Sequence, residues 1–128
     1  MGMTDYTREN ILNHVAGVSS WTMPAATWLS LHADSDPPAN DGSGTEYDDR
    51  LEVTFDAAVL VSGLWVVSID AGVTFTGLAA GTISYGSIWD DDTTGNMLWW
   101  GVWSTPTVVG GGGSFPVDPA DVALQLVA

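Results

Sequence analysis

The sequence contains no cysteine and no lysine, and Arg8 and Arg50 are its only strong bases. Without cysteine there are no disulfides and no thiolate metal sites, so packing and partner chains must hold the fold. Two arginines against 16 acidic residues leave a formal net charge of −14. Counterion release on a phosphate backbone needs lysine and arginine, so nucleic acid is excluded as a partner. Anionic membrane surfaces are disfavoured for the same reason. No apolar run reaches about 18 residues, so no bilayer-spanning helix is predicted. The opening stretch MGMTDYTREN has neither the basic nor the apolar region of a secretory signal.

What is present is apolar and aromatic. Of 128 residues, 45% are hydrophobic and seven are tryptophan, which sets the chain apart from a disordered acidic tail. That length reads as one domain over 1–128, with an N-terminal helix and arm over 1–18 and a β unit over 19–128. The acidity serves solubility or complements a basic partner.

Only the beginning has helical spacing. Thr4 or Asp5 can cap TDYTRENILNHVAG, Arg8, Ile11, Leu12 and Val15 fall on one face, and Gly17 offers a left-handed end. About three turns cannot persist alone in water, so this face must dock on the chain's own sheet or on a neighbour. From residue 27 the period becomes two. TWLSLHA (27–33), LEVTF (51–55), LWVVSI (64–69), GVTFTG (72–77), GTISYGSIW (81–89), NMLWWGVW (96–103) and DVALQLV (121–127) are read as strands separated by turns. This spacing predicts a mainly β, antiparallel β-sandwich or jelly-roll-like domain with one short helix. Residues 34–49 read as a long exposed loop, 90–96 as a hairpin connection, and the glycine run in 109–119 as a flexible loop.

Catalytic chemistry finds little support. His14 and His32 are the only histidines, no nucleophile elbow exists, and the glycine run lacks a phosphate-cradle context. Asp90, Asp92, Thr94 and Gly95 match the start of a calcium-loop pattern, but Gly101 stands where the bidentate glutamate belongs. No catalytic residue, metal ligand or cofactor is therefore assigned.

The aromatic residues carry the strongest signal. In the 96–103 strand, Met97, Trp99, Gly101 and Trp103 alternate with Leu98, Trp100 and Val102, so both faces are apolar. Tyr85 and Trp89 stand on the preceding strand. Either the domain covers both faces itself, or one face meets a sibling chain. Trp99, Trp100, Trp103, Trp89 and Tyr85 are the candidate subunit interface.

Several stretches in order resemble a family of small, tail-fibre-like virion proteins of tailed bacteriophages. They are ENILNHVAG, TMPAATWLSLHADSDP, DGSGTEYDDR, SIWDDDTTGNMLWWG and VGGGGSFPVDPADVALQL. The family's tyrosine and arginine lie closer together than Tyr47 and Arg50, and AAVLVSGLWVVSIDAG replaces an expected polar stretch. The resemblance implies a non-enzymatic virion structural protein. The role expected is a capsid decoration (cement) protein, a homo-oligomer and trimer bound to the major capsid protein on the phage head surface. Arg8, Ile11, Leu12 and Val15 would anchor it to the shell. The alternative is a tail-fibre or host-recognition module that binds carbohydrate.

Overall fold

The structure, a computed structural model, describes residues 1–126; the end of the last expected strand, Val127, lies outside them. The fold is mainly β and antiparallel, with one α-helix. A short strand β1 (Gly2–Met3) leads into helix α1 (Asp5–Val15), and β2 (Thr27–Ala33) follows. Next come β3 (Leu51–Val53), β4 (Val59–Val61), β5 (Leu64–Ser68) and β6 (Val73–Leu78). The long strands β7 (Gly81–Trp89) and β8 (Met97–Val109) precede β9 (Gly113–Val117), a 3-10 turn at Pro119–Asp121, and β10 (Ala123–Gln125). No described helix is long and apolar enough to cross a membrane.

One layer is a five-stranded sheet in the order β1-β8-β7-β2-β3. A three-stranded sheet, β10-β5-β4, and the β6-β9 pair supply the second layer. Leu29, Leu31, Ile83, Ile88, Leu98 and Trp103 of the large sheet meet Phe75, Phe115, Val117, Val122 and Leu124 from the smaller ones in one buried core. Because strand side chains alternate, this accounts for one face of the large sheet only.

Helix α1 docks in an unexpected way. Thr4 is its N-cap, and the Thr7 backbone N–H donates to Thr4 Oγ1 at 3.4 Å. The Thr4 hydroxyl donates to the Met97 carbonyl at 2.7 Å, and the Thr7 hydroxyl to the Leu98 carbonyl at 2.8 Å. These two buried hydroxyls tie the helix to β8, and Thr7 is the only buried residue of the helix. Of the stripe expected to dock, Arg8 and Ile11 are half-buried, while Leu12 and Val15 face outward at 70% and 79% exposure.

The strands differ from their sequence reading at three places. The expected strand 96–103 runs on through Val109. The end of the glycine run is strand β9 rather than loop, and its Pro116 sits opposite Thr74 in a two-stranded ribbon. Proline is tolerated there because a ribbon edge needs no donor. Strand β4 was not anticipated. Its residues VLV do not alternate between apolar and polar, so the period-2 signal is absent.

Candidate functional site

The alternation expected for the tryptophan strand breaks at its start. Trp89 pairs with Met97 and Ile88 with Trp99, which leaves Leu98 as an extra residue in β8. A bulge of this kind shifts the side-chain phase. Leu98 consequently joins the core together with Trp103, although strict alternation sets the two on opposite faces. Trp103 packs on Phe115 with ring centroids 5.6 Å apart. Beneath its indole lies Gly86, where a Cβ would stand 2.5 Å from Trp103 Cζ2.

The opposite face of the large sheet is covered in part by the chain itself, over β2 and the end of β7, while Val102 of β8 stays 67% exposed. Trp28, Ser30 and His32 of β2 and Tyr85, Ser87 and Trp89 of β7 lie under the 34–50 loop, where Ser30, His32 and Ser87 are fully buried. Residues 34–49 are, as the sequence predicts, an irregular and largely exposed segment, and part of it also covers these side chains.

Every polar group of this buried cluster has a defined role. His32 Nδ1 lies 2.9 Å from the Thr45 carbonyl, which only accepts, so Nδ1 carries the proton. Trp89 Nε1–H donates to Ser87 Oγ at 2.8 Å, and the Ser87 proton goes to His32 Nε2 at 2.7 Å. The Ser30 hydroxyl donates to Glu46 Oε2 at 2.7 Å. Arg50 closes the cluster. Its Nε and Nη2 bind the two oxygens of Glu46 at 2.8 and 2.7 Å, and its Nη1 binds the carbonyls of Asp91 and Thr94, each at 2.6 Å. One guanidinium thus fastens the 34–50 loop to the 90–96 turn.

Electrostatics follow from this burial. Desolvation lowers the His32 pKa below its ordinary 6.5, against the pull of the Thr45 hydrogen bond and the Glu46 and Asp36 charges. For Glu46, burial pushes upward, but the Arg50 and Ser30 hydrogen bonds outweigh it and hold the carboxyl below 4.5. The Ser87–His32 pair has the separation of a nucleophile and its base. It is nevertheless sealed from solvent, its hydroxyl also serves Trp89, and the histidine's second nitrogen binds a backbone carbonyl rather than a carboxylate. A substrate has no path to it. His14 accepts the Trp21 backbone N–H at 3.1 Å near the surface.

The Asp90 and Asp91 carboxylates bond within the 90–96 turn. Asp90 accepts from the backbone and side chain of Asn96, and Asp91 accepts from the backbone N–H groups of Thr93 and Thr94. Among the described residues, no three His, Cys, Asp or Glu side chains are grouped to hold a metal ion.

The candidate interface residues are therefore dispersed. Trp89 and Trp103 are buried, at 8% and 7% exposure, and are consumed by their own fold. Trp100 and Tyr85 are half-buried, touch edge to face at 6.4 Å, and Trp100 Nε1–H donates to Asn40 Oδ1. Trp99 packs partly into the core and lines an apolar hollow of about 240 Å³ with Ala58, Trp65, Val67, Leu124 and Leu126. The shell-anchor set fares differently. Arg8, Ile11 and Leu12 line a second hollow with Met3 and Leu126, and Val15 lies further along the exposed helix face. Arg8 pairs with Asp5 at 2.9 Å.

The largest exposed apolar feature is one the sequence reading passed over. Strands β4 and β5 form a hairpin whose turn, Ser62–Gly63, has φ of 49° and 83°. Two consecutive left-handed residues make the tight turn that matches strand twist. Val59, Leu60, Val61, Leu64 and Trp65 are each 42–59% exposed. The available signal was Ser-Gly between two wholly apolar runs, with no charged side chain from residue 57 to residue 69.

No curated protein matches the chain. Residues 2–125 match the family described as podophage GP4 fiber I protein gp80. That match takes in the helix, the covered sheet and the apolar hairpin alike, so the chain belongs to the podophage GP4 fiber I protein gp80 family and is a structural protein of tailed-phage virions.

Proposed function

We propose that this chain is a non-catalytic subunit of a podophage fibre that works by burying apolar surface against other virion chains. The single observation carrying this reading is the β4–β5 hairpin, five large apolar side chains held out in water by a protein of charge −14. Exposed apolar side chains grouped on one element are often functional, so the surface suits an assembly contact. The family supports a fibre more closely than the head-decoration role that the sequence suggested. The absence of catalysis is supported by the sealing of the His32–Ser87 pair, the arrangement here most like an enzyme's. In this reading the protein acts as a homo-oligomer, and stability comes from mass action on the assembled state.

Gold-labelled antibody against the purified chain, applied to intact virions, tests the assignment. Label confined to the tail is the expected result. Label confined to the head would overturn the fibre reading and restore the cement role, with the major capsid protein as partner.

A further inference from the structure

We infer that residues 34–49 are an acid-released cover: a proton on His32 lifts this segment from the large sheet while the two-layer core stays closed.

The trigger is a hydrogen-bond chain with no place for another proton. His32 is fully buried, its Nδ1–H donates to the Thr45 carbonyl, and its Nε2 accepts the Ser87 hydroxyl. Ser87 Oγ in turn accepts the Trp89 indole N–H at 2.8 Å. A proton added at Nε2 makes both ring nitrogens donors. The Nε2–H and the Trp89 N–H then converge on one oxygen, and the Ser87 proton has no acceptor among the described residues. A buried donor left without a partner destabilises the closed state by its full desolvation penalty.

The charges around the ring do not relieve this. From the cover, Asp36 and Glu46 favour the imidazolium and Arg50 opposes it, while desolvation weighs most against the charged ring. Both carboxylates are engaged: Asp36 accepts the Thr45 N–H, and Glu46 accepts from Ser30 and Arg50. Strands β2 and β7 bring no acid or base to the ring other than Tyr85, which stands opposite His32 in the register. Asp34, just beyond β2, accepts from Ser84. In the 90–96 turn, Asp90 binds Asn96, and Asp91 and Asp92 accept from Thr93.

The cover is what yields, because of how it is held. Of residues 34–49 only Pro38 is buried, and only Tyr47 packs against the apolar core. Polar contacts do the rest: the Thr45 carbonyl on His32, Glu46 on Ser30 and Arg50, and the Tyr47 N–H on the Leu31 carbonyl. On opening, water satisfies each of these groups, the imidazolium and the Ser87 hydroxyl included. The core loses nothing comparable, since Leu29, Leu31, Ile83 and Ile88 meet the second layer on the other face. Segments held by polar contacts and little apolar burial open ahead of the global fold.

Amide hydrogen exchange of the full chain, followed residue by residue by NMR between about pH 7.5 and 5, tests this. Glu46 and Asp36, both held below their ordinary values, stay ionised over that range. The Tyr47 N–H is the reporter, and the amides of the β7–β8 ladder are the reference. After correction for the intrinsic effect of pH, Tyr47 should open about a hundredfold more often than the ladder. Its opening should also rise roughly tenfold per pH unit below about 6.5. In His32→Asn that rise should vanish while Tyr47 still opens ahead of the ladder. The ring signal of His32 in the wild type supplies a readout that needs no variant. Four results would each overturn the inference: Tyr47 exchanging in step with the ladder, a Tyr47 opening that ignores pH, an acid rise that survives in His32→Asn, or a protonated His32 ring beneath a protected Tyr47.

Discussion

The guanidinium carbon of Arg50 lies 3.7 Å from the centroid of the Trp89 ring. That stacking adds a cation–π contact to a side chain already bound to both oxygens of Glu46 and to two carbonyls of the 90–96 turn. In a protein with two strong bases, one is therefore spent on clamping the sheet's second face.

Replacing this clamp should be costly. Arg50→Met strips the Asp91 and Thr94 carbonyls of their donor and leaves Glu46 charged beside Ser30. About 3 kcal/mol of stability should be lost, the lower part of the range for breaking a buried ion pair, because Glu46 keeps some solvent contact. Arg50→Lys should recover less than half of it, since an ammonium cannot grip two carboxylate oxygens and two carbonyls at once. Denaturant unfolding followed by tryptophan fluorescence measures both values.

Acid should weaken the fold in two stages. His32 is neutral when folded and its pKa lies below the ordinary 6.5, so the unfolded chain takes up the proton first. The contribution of His32 is then constant above about 6.5 and falls as pH drops through that value toward the folded pKa. Glu46, held below 4.5, adds a second loss with the same sign as pH falls below that value. His32→Asn keeps a donor near Thr45 and removes the titrating ring. The variant should start less stable, because Ser87 loses its acceptor, but its melting temperature should stay flat between pH 6.5 and 5. A fall there as steep as the wild type's would show that His32 does not set the first stage.

Much of this architecture was legible in the sequence because strands and turns announce themselves locally. The alternation in TWLSLHA and GTISYGSIW marks β2 and β7, and of the two possible caps, Thr4 and Asp5, the helix uses Thr4. What escaped depends on contacts distant in sequence. The Leu98 bulge exists only in the pairing of β8 with β7, so nothing in NMLWWGVW marks it. The 34–50 loop reads as solvent-exposed by composition, yet Glu46 and Arg50 turn it into a cover, since each satisfies the other. Of the tryptophan strand, Trp103 is buried while Trp99 and Trp100 stay half-buried, and further exposed apolar side chains lie in AAVLVSGLWVV, where residues far apart in sequence fail to cover them.

Close packing at Gly86 yields a third prediction. A Cβ there stands 2.5 Å from Cζ2 of Trp103, which also packs on Phe115, so the indole must shift to admit it. Gly86→Ala should cost about 1–3 kcal/mol, the usual penalty for overpacking a filled core. Thermal melting measures that loss, and a changed near-ultraviolet signal would report the displaced indole. Gly110→Ala is the control, because a Cβ there meets open space and should change stability little.

The hairpin turn supplies the last prediction. Ser62 is the only described residue other than glycine with positive φ, and it bears that strain at the first central position of the turn. Asparagine adopts this region more readily, and Asn-Gly is the preferred pair for such a turn. Ser62→Asn should therefore stabilise the chain by about 0.5 kcal/mol through a better-formed turn. Gly63→Ala should do the opposite at φ 83°, although its Cβ meets no atom, so the loss isolates backbone strain from packing. Denaturant unfolding of the two variants beside the wild type measures both changes, and equal stability of all three would mean that the turn's backbone strain does not limit the fold.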